Sequence, residues 1–140
     1  MTLEKYLIIP SRTESTNKLE LFLQDFFDEL KLKKDNFFHV LLSLSESVNN
    51  SISHGNKFNE NKNVIISCSW ENEILTITVE DEGNGFEIND IKDPTLPENI
   101  FSEQGRGLFL ISRLTDEFSF IEKGRIMELK FKIKSEYQFL

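Results

Sequence analysis

Three short stretches of the chain carry residue types and spacings that could do chemistry. The first is Glu46, Asn50 and His54, each four residues from the next. On a helix that interval returns side chains to one face. A neutral Asn oxygen suits a hard cation such as Mg²⁺, which keeps several waters and takes other ligands from phosphates. A carboxylate one turn away can accept a proton or orient a nucleophile beside such a metal. A solvated polar face has the same pattern, yet Asn is a poor helix former and here Asn49 and Asn50 stand together in a helix interior. The second stretch is Asp81-Glu82-Gly83-Asn84-Gly85-Phe86 at the end of a predicted strand. Asp81 shares the parity of Leu75, Ile77 and Val79 and so points inward, where an unpaired carboxylate is costly. A polar turn accounts for Gly and Asn there. An inward Asp can also accept a hydrogen bond from an exocyclic amine such as adenine's, with the glycines admitting a ring or ribose close to the backbone. The third stretch, Gly105-Arg106-Gly107-Leu108, opens a predicted short helix. Free N–H groups and the positive dipole end at a helix start attract phosphate, and a flexible hinge is the competing reading.

Glycine is scarce in this chain, and five of its 6 copies (Gly55, Gly83, Gly85, Gly105, Gly107) fall in or beside these stretches. The sixth, Gly124, suits a hairpin turn. Other chemistries are excluded by what is missing. There is no Gly-x-x-x-x-Gly-Lys-Ser/Thr phosphate loop and no Gly-x-Ser-x-Gly nucleophile elbow. Cys68 as the only cysteine excludes an internal disulfide and a Cys-rich zinc site, and His39 and His54 as the only histidines argue against a His-ligated metal. Cys68 reads as a buried strand thiol, and His39 as a core or edge histidine.

The elements that must position these residues follow from periodicity. Tyr6–Ile9 reads as a strand ending at Pro10. Ser11 and Glu14 have capping-box spacing, and Leu19, Phe22, Leu23, Phe26, Phe27 and Leu30 mark one face of a helix. Asp35 can cap a second helix with Phe37, Leu41, Leu44, Val48 and Ile52 as its apolar stripe. Gly55 closes it as a residue that tolerates the left-handed C-terminal conformation. Two strands, Val64–Trp70 and Ile74–Asp81, join through Glu71-Asn72-Glu73. Residues 87–104 have no clear period and read as a functional lid. A short helix from Gly107 and a hairpin of Phe118–Ile121 with Ile126–Ile133 complete the chain. The order β-α-α-β-β-lid-α-β-β predicts an α+β two-layer sandwich, its mixed, mostly antiparallel sheet covered on one face by helices.

The 140 residues are expected to form a single domain, with 39% hydrophobic residues and 13 Phe to build its core. The net charge of -8 argues against a nucleic-acid or anionic-membrane partner. With no apolar leader and no long apolar run, the chain is expected to be soluble and cytoplasmic.

Glu46-Ser47-Val48-Asn49-Asn50-Ser51-Ile52-Ser53-His54-Gly55, then Asp81-x-Gly83-x-Gly85, then Gly105-Arg106-Gly107-Leu108 is similar to the N, G1 and G2 boxes of the Bergerat-fold (GHKL) ATPases. The combination resembles most the small bacterial anti-sigma-factor serine/threonine kinases, over nearly the whole chain. That resemblance implies ATP and Mg²⁺ as cofactors. It implies that Asn50 binds the metal, that Glu46 is the general base toward a protein hydroxyl, and that Asp81 reads the adenine amino group. Gly83 and Gly85 would line the base. Gly105, Arg106 and Gly107, with Leu108 and His54, would complete the nucleotide site. The implied partners are a sigma factor, a STAS-type anti-anti-sigma protein as phosphoacceptor, and a second copy of the chain. The last hairpin departs from the pattern: family members often carry a Thr shortly after its glycine, whereas here Arg125-Ile126-Met127 follows Gly124. A nucleotide-binding module that sequesters a partner without phosphoryl transfer is the alternative.

Overall fold

The computed structural model describes residues 3–84 and 103–136. The expected lid lies outside the described residues, except for positions 103 and 104, and so does Gly85. Among the described residues, β1 (Leu3–Pro10) leads through a 3₁₀ turn (Thr13–Lys18) into α1 (Leu19–Leu30) and then α2 (Phe37–Asn50). A π-helical turn, Ser51–Gly55, extends α2. There follow β2 (Asn63–Glu71), β3 (Ile74–Glu80), α3 (Glu103–Leu114), β4 (Glu117–Ile121) and β5 (Ile126–Lys132).

The strands form one sheet in the order β1-β2-β3-β5-β4. Every pair is antiparallel. The α+β sandwich is as expected, with the sheet antiparallel throughout its described part rather than mixed. Alternation explains which face is covered. Val64, Ile66, Cys68 and Trp70 of β2, Leu75, Ile77 and Val79 of β3, and Met127, Leu129 and Phe131 of β5 are buried against the helices. The β2–β3 link is a two-residue turn, Asn72-Glu73, with both φ positive (53° and 64°), the conformation that matches strand twist in tight hairpins.

The helices bury the faces that periodicity selects. Leu19, Leu23, Phe26, Phe27 and Leu30 of α1 are in the core, with Phe22 packed at its edge. Phe27 meets Phe37 of α2 edge-to-face at 5.1 Å, which joins the two helices. On α2 the stripe is Phe37, Val40, Leu44, Val48 and Ile52; Leu41 is only partly buried, one residue off the expected row. Ser43 and Ser47 are also fully buried, each hydroxyl donating to the carbonyl four residues back at 2.8 Å. Small residues at those positions keep that side of α2 narrow. His39 is exposed.

Three expected local devices are absent. Ser11 does not cap a helix: Arg12 precedes the 3₁₀ turn without a side-chain cap, and the Ser11 hydroxyl instead donates to the Lys62 carbonyl at 2.7 Å. Asp35 does not cap α2 either, which begins after Asn36 with no side-chain cap hydrogen bond. Gly55 is not left-handed. The positive φ angles after α2 belong to Lys57 (53°) and Phe58 (59°). The reason for glycine at position 55 is packing, described below.

A candidate nucleotide site at the end of the second helix

Glu46, Asn50 and His54 do lie along one side of α2 and its π-helical extension. That side is not a freely solvated one. Glu46 and Asn50 are half-buried, and only His54 is exposed. The element that covers the row is α3. A Cβ added at Gly107 would stand 2.8 Å from Glu46 Oε2, so the carboxylate rests close to the α3 backbone where Gly107 has no side chain. A cleft of about 210 Å³ opens there, lined by Glu46, Asn49, Asn50, Ser53 and His54 from α2 and by Arg106, Gly107, Leu108 and Leu110 from α3.

Helix α3 begins two residues before Gly105, not at Gly107 as the sequence suggests. Gly105 and Gly107 therefore stand within its first two turns. Glycine lowers helix propensity, which is why periodicity places the start too late. Gly105, Gly107 and Leu108 are buried, while Arg106 is exposed on the wall of the cleft.

The other half of the candidate site lies where β3 ends. Asp81 is 5% exposed. Its Oδ1 accepts the Gly83 N–H at 2.8 Å. A Cβ at Gly55 would lie 2.2 Å from Asp81 Oδ2, and one at Gly83 would lie 2.3 Å from the Gly55 carbonyl oxygen. The turn after α2 and the turn after β3 thus touch through two glycines and one carboxylate. Neither glycine is there for an unusual φ; both are there because nothing larger fits. Burial holds the Asp81 carboxyl above the ordinary carboxylate range, and the Gly83 N–H, Arg125 and Lys62 offset part of that shift. A second cleft, of about 300 Å³, opens beside this contact, lined by His54, Gly55, Asn56, Lys57, Asn59, Lys62, Gly83 and Asn84. His54 lines both clefts, so they are adjacent, and jointly they have the scale of small-ligand sites.

A family model described as the histidine kinase-like ATPase domain matches residues 9–132. The chain belongs to this family. Among relatives of this histidine kinase-like ATPase domain, the serine-protein kinase RsbW of Staphylococcus aureus strains JH9 and Newman is 31% identical over 138 residues, spanning 91% of this chain and 86% of the relative. The crystal structure of the RsbU and RsbW domains of Rv1364c from Mycobacterium tuberculosis aligns with a TM-score of 0.67 at 11% identity, over 99% of this chain and 34% of that one. At that identity the likeness concerns the fold.

The residues of this ATPase domain bear on what it can hold. Among the described residues no group of three or more His, Cys, Asp and Glu forms a metal site. A neutral Asn oxygen such as that of Asn50, lining the cleft between α2 and α3, is a donor compatible with a Mg²⁺ that would draw its remaining ligands from phosphates and water. Arg125, which follows Gly124, is paired with Glu80 and donates to the Asp81 carbonyl at 3.4 Å. Sequence reasoning missed Asn56. It is 2% exposed and ties the two turns together, and nothing in its surroundings in the sequence distinguishes it from a turn residue.

Proposed function

We propose that this ATPase domain is an ATP-dependent protein serine/threonine kinase that phosphorylates a small STAS-type anti-anti-sigma protein and sequesters a sigma factor, acting as a cytoplasmic homodimer. The observation that carries the reading is the apposition of Glu46 and Gly107. It sets a half-buried carboxylate on one wall of a cleft whose other wall is formed by the first turns of α3. The 31% identity to serine-protein kinases over most of both chains supports it.

In this reading Asp81 accepts a hydrogen bond from the adenine amino group, with Gly83 and Gly85 beside the base. Asn50 holds Mg²⁺, which when bound neutralises charge on the phosphates. Gly105, Arg106 and Gly107, with Leu108 behind them, shape the phosphate end, and His54 stands between the two halves. Glu46 accepts the proton of the incoming Ser or Thr hydroxyl as its oxygen bonds to the terminal phosphorus and the bridging P–O bond to ADP breaks. Phosphoryl transfer of this kind depends on positioning and charge neutralisation more than on covalent help. A chain of net charge -8 accommodates a polyanion through these local features.

The test is transfer of labelled phosphate from Mg·ATP to the cognate anti-anti-sigma protein. Glu46→Gln is expected to lower the transfer rate about 10²–10⁴-fold, the range for loss of a general base, while ATP binding persists. Undiminished transfer in Glu46→Gln rules out the base. ATP binding by the wild type without transfer to that partner favours the alternative, a module that binds nucleotide and sequesters its partner.

A further inference from the structure

The two turns at the candidate base end are distant in sequence, and one buried side chain joins them. Asn56 Nδ2 donates to Ser11 Oγ at 2.8 Å and to the Asn63 carbonyl at 2.9 Å. Its Oδ1 accepts the Glu82 N–H at 2.8 Å. Its own N–H closes the π-helical turn on the Ser51 carbonyl at 2.8 Å. Both donors and the acceptor of the amide are therefore engaged with protein. The Ser11 hydroxyl passes the chain of hydrogen bonds on to the Lys62 carbonyl at 2.7 Å. Glu82 is the residue between Asp81 and Gly83. Holding its N–H fixes the peptide that follows Asp81, and with it the turn whose Gly83 N–H orients the Asp81 carboxylate.

We propose that Asn56 is a positioning residue for nucleobase recognition: it holds the Asp81–Gly83 turn against Gly55 so that the carboxylate is aimed at an adenine amine. The proposal rests on Asp81 being the base contact. Asn56 acts through Asp81, since its polar atoms are spent within the protein. Truncating it removes the side chain that holds the Glu82 N–H and the Asn63 carbonyl, and the turn is free to swing away from Gly55. Selectivity between bases depends on aim, because guanine offers a carbonyl where adenine offers the amine. Binding energy drawn from the phosphates does not depend on this turn.

The experiment measures dissociation constants of the full chain for Mg·ATP and Mg·GTP by calorimetry in wild type, Asn56→Ala, Asp81→Asn and the double variant. Asn56→Ala is expected to weaken ATP about tenfold (about 1.4 kcal/mol) and GTP less than about twofold. Asp81→Asn does the same, and the double variant is no weaker than Asp81→Asn alone, because residues in one network do not add. Equal losses for ATP and GTP, or additive losses in the double variant, overturn the proposal and leave Asn56 a purely structural residue. Should Asn56→Ala not fold, Ser11→Ala removes one remote partner of the amide and is expected to lower the ATP preference about threefold, roughly the effect of one neutral hydrogen bond. A preference unchanged in Ser11→Ala then overturns the proposal. Failure of the wild type to bind either nucleotide overturns the nucleotide reading itself, an outcome distinct from the others.

Discussion

Gly55→Ala tests the contact that joins the turns after α2 and β3 at the candidate site. The added methyl would sit 2.2 Å from Asp81 Oδ2, 2.4 Å from Cγ and 2.9 Å from Cβ. An ordinary carbon–oxygen contact is about 3.3 Å or more, so roughly 1 Å of movement is required. Asp81 resists it, because Oδ1 is bonded to the Gly83 N–H and the Asp81 N–H donates to the Arg125 carbonyl at 3.0 Å. Overpacking of this kind costs about 1–3 kcal/mol, and losing a hydrogen bond to a charged group costs about 1.5–3 kcal/mol. Replacing glycine in a helical conformation returns about 0.5–1 kcal/mol. The net loss is expected near 2–4 kcal/mol, which for a chain of this length lowers Tm by roughly 6–15 °C. Thermal and urea unfolding measure it. The control is Asp81→Ala, which removes the two closest atoms. In that background Gly55→Ala is expected to be milder by about 1–3 kcal/mol, the coupling found between touching residues. A left-handed role for Gly55 predicts a loss indifferent to Asp81. A Gly55→Ala variant within about 0.5 kcal/mol of wild type, or one equally harmful in both backgrounds, refutes the packing argument.

Other perturbations separate stability from activity. At Gly107 the new methyl meets only the far end of the Glu46 side chain at 2.8 Å, which can rotate away. Gly107→Ala should therefore keep or gain stability, by up to about 1 kcal/mol, while phosphate transfer falls at least about tenfold because the base is displaced; full activity counts against the placement of Glu46. For Asp81, burial raises the folded-state pKa, so its ionisation weakens the fold. Below the ordinary carboxylate range the folded and unfolded states are both protonated, and Asp81→Asn and wild type should be similarly stable. As pH rises the unfolded state loses its proton first, so the wild type should fall behind Asp81→Asn until the folded-state pKa is passed, an advantage readable by urea titration at each pH. An advantage that shrinks with rising pH contradicts the assigned direction. Cys68 is wholly buried, with its thiol pushed up to about 12 by desolvation. Thiol labelling at pH 8 is expected only as fast as the protein unfolds, and rapid native labelling would show the β2 face to be open.

Much of the fold is legible because its signals are local. Alternation in Val64–Trp70 and Leu75–Val79, and the period of Leu19 to Leu30, mark the buried faces without reference to any partner. The caps at Ser11 and Asp35 are misread because a capping residue and a turn residue have the same chemistry. Ser11 bonds the chain at Lys62 and Asn56, a contact no window around residue 11 contains. The start of α3 is misplaced because glycines within a helix read as the loop before it.

By itself the sequence determined the residue types at the candidate site, their order along the chain and the family. A four-residue spacing on a helix and an inward parity on a strand are properties of the backbone repeat alone. Tertiary structure decided what those residues face. It placed Glu46 against Gly107, showed that Gly55 is a glycine for want of room beside Asp81 rather than for its φ, and recruited Asn56 to join two turns 26 residues apart. Each of these is a contact between segments distant in sequence, set by how the helices lie on the sheet.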